Sequence, residues 1–502
     1  MFPGDHVLGR RSFILFLSKM ISAALAYVGL YFITRYLETD IYGTVTAAMA
    51  LVATFNAVSD LGFSSAHIKR VSEGADPNQC ISTFAFIKVV LTGLMVLITM
   101  VSIFVWTTVM GNVLSGTSMQ IIFLFILYQV LYDLSSIATV TFQARMEMAK
   151  MPLATLVEPL VRVPLVIFVA LNYMGVMELT LSYLVGSAVV FVVSMYMLLR
   201  ERIKWTRPVL LRSYYTFALP LIIITVISAV SGSADKLLIT FFWNPTDVGL
   251  YAAPAVFLGV FATISTAVST LTFPSFSKLH KDGNLVEIRS LSKQAERYIA
   301  MIGLPVTILI MMFPYEVCEV LLGPKYIDSG RAIGIMVATT FITMINAVHS
   351  SQIVAVGRPD ISARITIVTV IMNISLMLLF IPGFGLGLSF VGAALALLIG
   401  NFVSLLMVRY SVYRLTGTVP NVRLAYQLLA GLAAAGAMFV LDLFISIDRF
   451  YTLIIFGLVA YAAFLLVLAA LKEFTRMDVK YFLDLINVKK MFSYVGGELK
   501  GK

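Results

Sequence analysis

Eight ionisable residues lie inside long apolar runs of this 502-residue chain: Lys19, Asp60, Lys88, Asp133, Glu158, Arg162, Asp235 and Lys236. A charge at the centre of a bilayer costs at least ~2.5–3.5 kcal/mol, so such residues face a cavity or a partner of opposite sign. Arg162 is about ten residues, or ~15 Å, into its run, too deep to reach water easily. Its planar guanidinium matches phosphate oxygens, which makes Arg162 the foremost anion-binding candidate. Glu158, four residues earlier on the same helix face, can instead pair with it. Both readings stand together if an incoming phosphate displaces Glu158. Lys19, Lys88 and Lys236 are further cationic candidates, with Asp235 beside Lys236 able to neutralise it. Asp133, near the middle of its run, is the first candidate to take up a proton or small cation, followed by Glu158 and Asp235. Asp60 reads as a solvated helix end and Arg35 as an interface anchor. Asn346, His349, Asn373 and Asn401 read as groups that hydrogen-bond helix to helix.

Other chemistries are missing from the sequence. It has no G-x-x-x-x-G-K-[ST] stretch for nucleotide phosphates and no His, Cys and acidic cluster at metal-ligand spacing. No polar segment is large enough to house a nucleophile with its base, so neither an enzyme nor a cofactor is expected. Cys80 and Cys318 are far apart and read as small buried hydrophobes. The net charge of +10 is strung between apolar runs with no basic surface interleaved with aromatics, which argues against nucleic acid.

The elements that must position these charges are membrane helices. Hydrophobic residues make up 60% of the chain and charged ones only 12%, against roughly 25% charged in an ordinary globular protein. At about 20 apolar residues per crossing, the sequence divides into about fourteen spans, at roughly 12–36, 42–64, 82–106, 119–142, 152–172, 177–199, 213–241, 248–273, 298–321, 331–354, 361–380, 386–410, 423–445 and 450–471. The first run is too long for the apolar part of a cleaved leader. Basic residues concentrate in alternate connections: Arg10 and Arg11, Lys69 and Arg70, Arg145 and Lys150, the 200–212 link, the 274–297 loop and the tail. The opposite connections hold only Arg35, Lys325, Arg331 and Arg449. This asymmetry places both termini in the cytoplasm. The 274–297 loop and the tail beyond Lys472 are each expected to form an amphipathic helix on the inner surface.

A repeat is visible in two stretches, ITRYLETDIYGTVTAAMALV around Gly43 and LITFFWNPTDVGLYAAPAVFLG around Gly249. Both read as a helix, a short polar turn, a glycine near a tyrosine, then a helix rich in small residues. Six spans separate the copies, so the halves share one orientation and form a parallel repeat. The expected fold is therefore an all-α integral membrane protein with two six-helix lobes around a central cavity, residues 1–199 and 213–415. A basic linker at 200–212 joins them, an extra helix pair occupies 416–471, and a cytoplasmic tail runs over 472–502.

Four stretches carry a resemblance. They are SDLGFSSAHIKR at 59–70, KWTRP at 204–208, the run from Ala234 to Pro254, and VGRPD at 356–360 with IPGFGLGLSFVGAALA after it at 381–396. The chain resembles the polysaccharide transporters, the oligosaccharide flippases, of the multidrug/oligosaccharidyl-lipid/polysaccharide exporter superfamily. The resemblance implies alternating access and movement of polyprenyl-phosphate-linked oligosaccharide from the inner to the outer leaflet of the cell membrane. Membrane lipid and polysaccharide assembly proteins are the implied partners, with the chain acting as a monomer coupled to a Na⁺ or H⁺ gradient. Lipid II-type flippases and cation-coupled multidrug antiporters share the architecture. Lys19, Lys88 and Arg162 favour an anionic cargo over the organic cations of an antiporter. A membrane-embedded glycosyltransferase would need larger outer loops than this sequence offers.

Overall fold

A computed structural model describes residues 5–109, 116–145, 147, 150–201, 203–421 and 423–473. In chain order the helices are α1 (Asp5–Tyr36), α2 (Thr39–Phe55), α3 (Ala57–Asp60), α4 (Phe63–Ser72), α5 (Pro77–Phe104), α6 (Gly116–Ala144), α7 (Lys150–Leu171), α8 (Val176–Leu199), α9 (Leu211–Phe242), α10 (Pro245–Lys281), α11 (Leu285–Met312), α12 (Pro314–Leu322), α13 (Gly330–Ala355), α14 (Pro359–Phe380), α15 (Ser389–Thr416), α16 (Leu424–Asp442) and α17 (Phe450–Ala470). No strand occurs among the described residues. Twelve of their helical segments are long and apolar enough to cross a bilayer. α1 and α10 run through the remaining two predicted spans. The protein is an all-α, multi-pass membrane protein.

The helix ends obey local chemistry. Proline stands at the first turn of α5 and α12 and opens α10 and α14, where its missing N–H costs nothing. Asp76 caps α5 by accepting from Asn78 N at 3.0 Å. The predicted span 42–64 is interrupted at Asn56 and again at Leu61 and Gly62, which adopt φ of 45° and 86°. A side chain at Gly62 would meet Leu221 Cβ at 2.8 Å, so α9 can approach only at a glycine.

Two expectations need correction. Residues 274–297 do not form a separate surface helix: α10 continues to Lys281 and α11 starts at Leu285, with a turn at Gly283 (φ 69°) and Asn284 accepting from Glu287 N at 3.1 Å. Extending the two helices satisfies the backbone that a detached helix would leave to water. The predicted span 298–321 ends early, at Met312, because Pro314 starts α12. The expected tail helix lies outside the described residues.

The chain packs as two units. One consists of residues 18–257 and 370–397. In it α6 lies against α7 and α8, α2 lies against α6 and α9, and the short α3 and α4 fill the space beside α5. Phe63, Phe84, Tyr214 and Ala218 form one buried core, and Ala85, Ile137, Phe142 and Leu198 another. His67 is wholly buried between them, its ring nitrogens 2.9 Å from Tyr214 Oη and 3.0 Å from Thr141 Oγ1. The connection between α14 and α15 is tied down by Trp243, which donates to the Ile381 carbonyl at 2.7 Å, and by Ser389, which donates to Asp247 at 2.9 Å.

The other unit comprises the described residues before Ser18, residues 258–369 and those from Leu398 on. Here α11 is central, packed against α13, α16 and α17. Phe276, Ile288, Ile299, Met344 and Val348 form its buried core. Gln427 on α16 donates to the Arg297 carbonyl at 3.1 Å, and Tyr461 on α17 to the Ile302 carbonyl at 2.5 Å, which anchors the last helix pair along α11.

Within the first unit the two glycines of the repeat meet. A Cβ on Gly43 would overlap the Pro245 carbonyl oxygen and sit 3.0 Å from Gly249 N. A Cβ on Gly249 would overlap the Thr39 carbonyl oxygen and sit 3.3 Å from Gly43 N. Each glycine thus abuts the residue four before the other, and α2 and α10 touch backbone to backbone, a spacing only small residues permit. Gly43→Ala is expected to destabilise the protein by about 1–3 kcal/mol, as overpacking does. Gly93→Ala, whose Cβ meets nothing within 4 Å, serves as the neutral control. Thermal unfolding of both variants in detergent checks this.

Candidate functional site

The intramembrane charges of the first unit settle into three groups. In the first, α5 carries Lys88 into the space between α3 and α6. Its ammonium donates to the Ser59 carbonyl at 3.2 Å and lies 3.4 Å from Asp60 Oδ1 and 4.0 Å from Asp133 Oδ1. Lys88 is 2% exposed and Asp133 4%. Asp60 also caps the restart of the chain after the Leu61–Gly62 break, accepting from Gly62 N at 3.2 Å and Ser64 N at 3.3 Å. Asn56, with its amide nitrogen turned toward Asp133, donates to Oδ2 at 2.8 Å while its oxygen accepts from Gln129 Nε2 at 3.0 Å. Two carboxylates and one ammonium leave this cluster with one excess negative charge when all are ionised. Asp60 keeps 31% of its side chain exposed, so the buried part of that excess rests on Asp133.

The second group is neutral. Arg162 Nε donates to Glu158 Oε1 one turn earlier on α7. The guanidinium carbon stands 4.6 Å over the ring of Tyr183 on α8, a cation–π contact. Tyr128 and Tyr132 stack on one another on α6, and Tyr128 meets Tyr183 edge-on. Gly186 makes room for the pair, since a Cβ there would lie 3.2 Å from Arg162 Cβ and 3.4 Å from Glu158 Oε1. α7 runs unbroken through Pro159 and Pro164, each of which deprives the carbonyl four residues earlier of its helical donor.

In the third group Lys236 Nζ lies 3.4 Å from Asp235 Oδ1 on α9, and the buried Tyr251 hydroxyl of α10 hydrogen-bonds the same carboxylate. Lys19 is exposed on α1, and Arg35 stacks over Tyr31 at 4.6 Å.

The structure therefore brings Lys88 to Asp133, Arg162 to Glu158 and Lys236 to Asp235. Sequence reading did not single out Asn56, Gln129 or the three tyrosines, whose types are common in apolar helices. It took Asp60 for a solvated end; its side chain is 31% exposed and also faces Lys88, a contact the sequence did not announce. It also passed over Glu296 and Arg409, which pair within the second unit, because both fall at the margins of predicted spans. Among the described residues no group of three or more His, Cys, Asp or Glu could hold a metal ion.

With that geometry in place, the chain can be compared with known proteins. The sequence profile of the family described as polysaccharide biosynthesis protein matches residues 32–331, more than half of the chain. The chain belongs to this family. The family sits within the multidrug/oligosaccharidyl-lipid/polysaccharide exporter superfamily, whose members are transporters rather than enzymes. A similar sequence is the probable low-salt glycan biosynthesis flippase Agl15 of Haloferax volcanii, 21% identical over 478 residues, covering 93% of this chain and 97% of that one. The probable flippase AglR of the same organism is 23% identical over 191 residues, 38% of this chain and 39% of that one. Among solved structures, an inward closed lipid II flippase MurJ superposes with a TM-score of 0.69 at 16% identity, covering 90% of this chain and 98% of its own. An inward-facing MATE multidrug transporter superposes with a TM-score of 0.62 at 16% identity, over 80% and 96% of the two chains. At such identities these structures establish the shared fold.

For this family member the Lys88 cluster yields a test. Lys88→Met leaves the buried Asp133 and the part-exposed Asp60 without their cation and is expected to cost about 3–5 kcal/mol, mostly through Asp133. Adding Asp133→Asn to that variant removes one stranded charge and is expected to recover a measurable part of the loss. Thermal unfolding of the two single variants and the double variant gives the coupling directly.

Proposed function

We propose that the protein is a flippase that carries polyprenyl-phosphate-linked oligosaccharide from the inner to the outer leaflet by alternating access, for surface polysaccharide or glycan assembly. The observation that carries this reading is the near end-to-end likeness to a probable glycan biosynthesis flippase, over 93% of this chain and 97% of the relative. In the proposal fourteen spans form two parallel six-helix repeats, residues 1–199 and 213–415, around a central cavity. The link at 200–212 and both termini lie on the cytoplasmic side, and the helix pair within 416–471 is an addition. The reciprocal contact of Gly43 and Gly249, 206 residues apart, supports the repeat.

Arg162 is the proposed contact for the cargo's phosphate. In the resting geometry Glu158 occupies its guanidinium, so binding exchanges one oxyanion for another and creates no bare charge. Lys19 and Lys236 are proposed as further cargo contacts. Lys88 enters through the carboxylates it holds. Asp133, with Asp60 beside it, is proposed to take the coupling H⁺ or Na⁺, because their cluster carries one uncompensated negative charge. Glu158 and Asp235 are the remaining proposed coupling carboxylates. The protein is proposed to work as a monomer in the plasma membrane alongside polysaccharide assembly proteins.

Translocation of a fluorescent lipid-linked oligosaccharide in proteoliposomes, with imposed proton, sodium and voltage gradients, tests the reading. Wild-type protein is expected to flip it in a gradient-dependent way. Arg162→Ala is expected to insert normally but lose at least about tenfold in rate, the equivalent of one charge-assisted hydrogen bond. Asp133→Asn is expected to flip without responding to the gradient. Movement of a cationic dye with none of the sugar lipid would replace this reading with that of an antiporter.

A further inference from the structure

A second buried charge cluster, in the unit built around α11, takes no part in the function proposed above. Glu296 on α11 is 1% exposed and receives both arms of Arg409 from α15, with Nη1 donating to Oε2 at 3.3 Å and Nη2 donating to Oε1. His349 on α13 is wholly buried, with Nε2 4.0 Å from Glu296 Oε2. That nitrogen makes no hydrogen bond among the described residues.

The hydrogen bonds around the ring, which include a 2.8 Å contact between the Thr416 and Thr418 hydroxyls, favour one tautomer. Thr416 donates its hydroxyl proton to the Val412 carbonyl at 2.9 Å, so its oxygen accepts from Gln352 Nε2 at 2.9 Å. Gln352 Nε2 also donates to Thr418 at 3.1 Å. The amide oxygen of Gln352 must then face Ser292, which donates to it at 2.8 Å. Having spent its proton, Ser292 Oγ can only accept from His349 Nδ1, 3.3 Å away. In this arrangement the ring carries its proton on Nδ1, and the unpartnered Nε2 turns a lone pair toward the Glu296 carboxylate. Two acceptors face each other with a gap that one proton and a closure of about 1 Å would convert into a charge-assisted hydrogen bond.

We propose that His349 Nε2 is a proton-binding site, and that proton uptake transfers Glu296 from Arg409 to the imidazolium. As described, Glu296 and Arg409 cancel, and an added proton leaves one positive charge in excess. The Arg409 side chain is 20% exposed, so its guanidinium can turn to water while the two buried groups pair. The contact from α11 to α15 is then exchanged for one from α11 to α13. Glu296 and Arg409 are the charged groups in contact with this site. On α11, Arg289 is held by the Thr416 carbonyl at 2.6 Å, Lys293 is half-buried and Arg297 lies over Tyr298. Lys278, His280 and Lys281 of α10 are exposed, as is Arg414 of α15. The site stands independently of the cargo reading, and only its use to couple transport to a proton gradient rests on that reading.

The test is solid-state NMR of ¹⁵N-histidine in the full-length protein in liposomes between pH 4 and 9, which reads neither cargo nor transport. The chain has four histidines, and the difference from a His349→Gln variant assigns the ring. The expected result is an Nδ1–H tautomer at high pH and reversible protonation within the range. Glu296→Gln should lower the midpoint and Arg409→Gln should raise it, each by about one unit, or tenfold in proton affinity. An Nε2–H tautomer, a ring that stays neutral throughout, or midpoints unmoved by both substitutions would overturn the proposal. If either variant fails to fold, the wild-type tautomer and titration decide alone.

Discussion

Hydrocarbon offers no hydrogen bonds and little dielectric, and every feature of this molecule answers to that constraint. Backbone groups in the spans are satisfied within helices. Most of the intramembrane charges named above pair with one another. Lys88 sits among two carboxylates and a carbonyl, Arg162 beside Glu158, Lys236 beside Asp235 and Arg409 on Glu296. The positions of these pairs explain local departures from regularity. The chain breaks at Leu61 and Gly62, where Asp60 must both cap the start of α4 and face Lys88. α8 narrows to a glycine at 186, where the Arg162 pair needs room.

Charge balance separates these clusters functionally. Arg162 with Glu158 and Lys236 with Asp235 are neutral as they stand, and a neutral pair can exchange partners without leaving a bare ion in the lipid. The Lys88 cluster is short of one positive charge. The His349 cluster is neutral yet directs an unused lone pair at a carboxylate. The first kind suits the handling of an anionic group, and the other two suit the uptake of a proton or cation.

Much of this was legible in the sequence because the signals were periodic. The i, i+4 spacing of Glu158 and Arg162 foretold their pairing, and adjacency foretold that of Asp235 and Lys236. Long apolar runs marked the helices to within a few residues. Where the reading failed, the deciding contact was distant in sequence. Nothing near Asp60 announces Lys88, and nothing near Glu296 announces Arg409. Tyr128, Tyr132 and Tyr183 look like ordinary membrane aromatics until the packing of α6 on α8 brings them around a guanidinium. Helix margins were the other weak point, since Pro314 and the Gly283–Asn284 turn reset where α11 begins and ends.

The meeting of Gly43 with Gly249 has a mechanical implication. At the two glycines the nearest atoms across the joint are all main-chain, which leaves close-range dispersion to hold them. Parting it would require no rotamer change and would strand no charge. Such a joint differs from the ion pairs, hydrogen bonds and apolar side-chain cores that hold helices together elsewhere in the molecule.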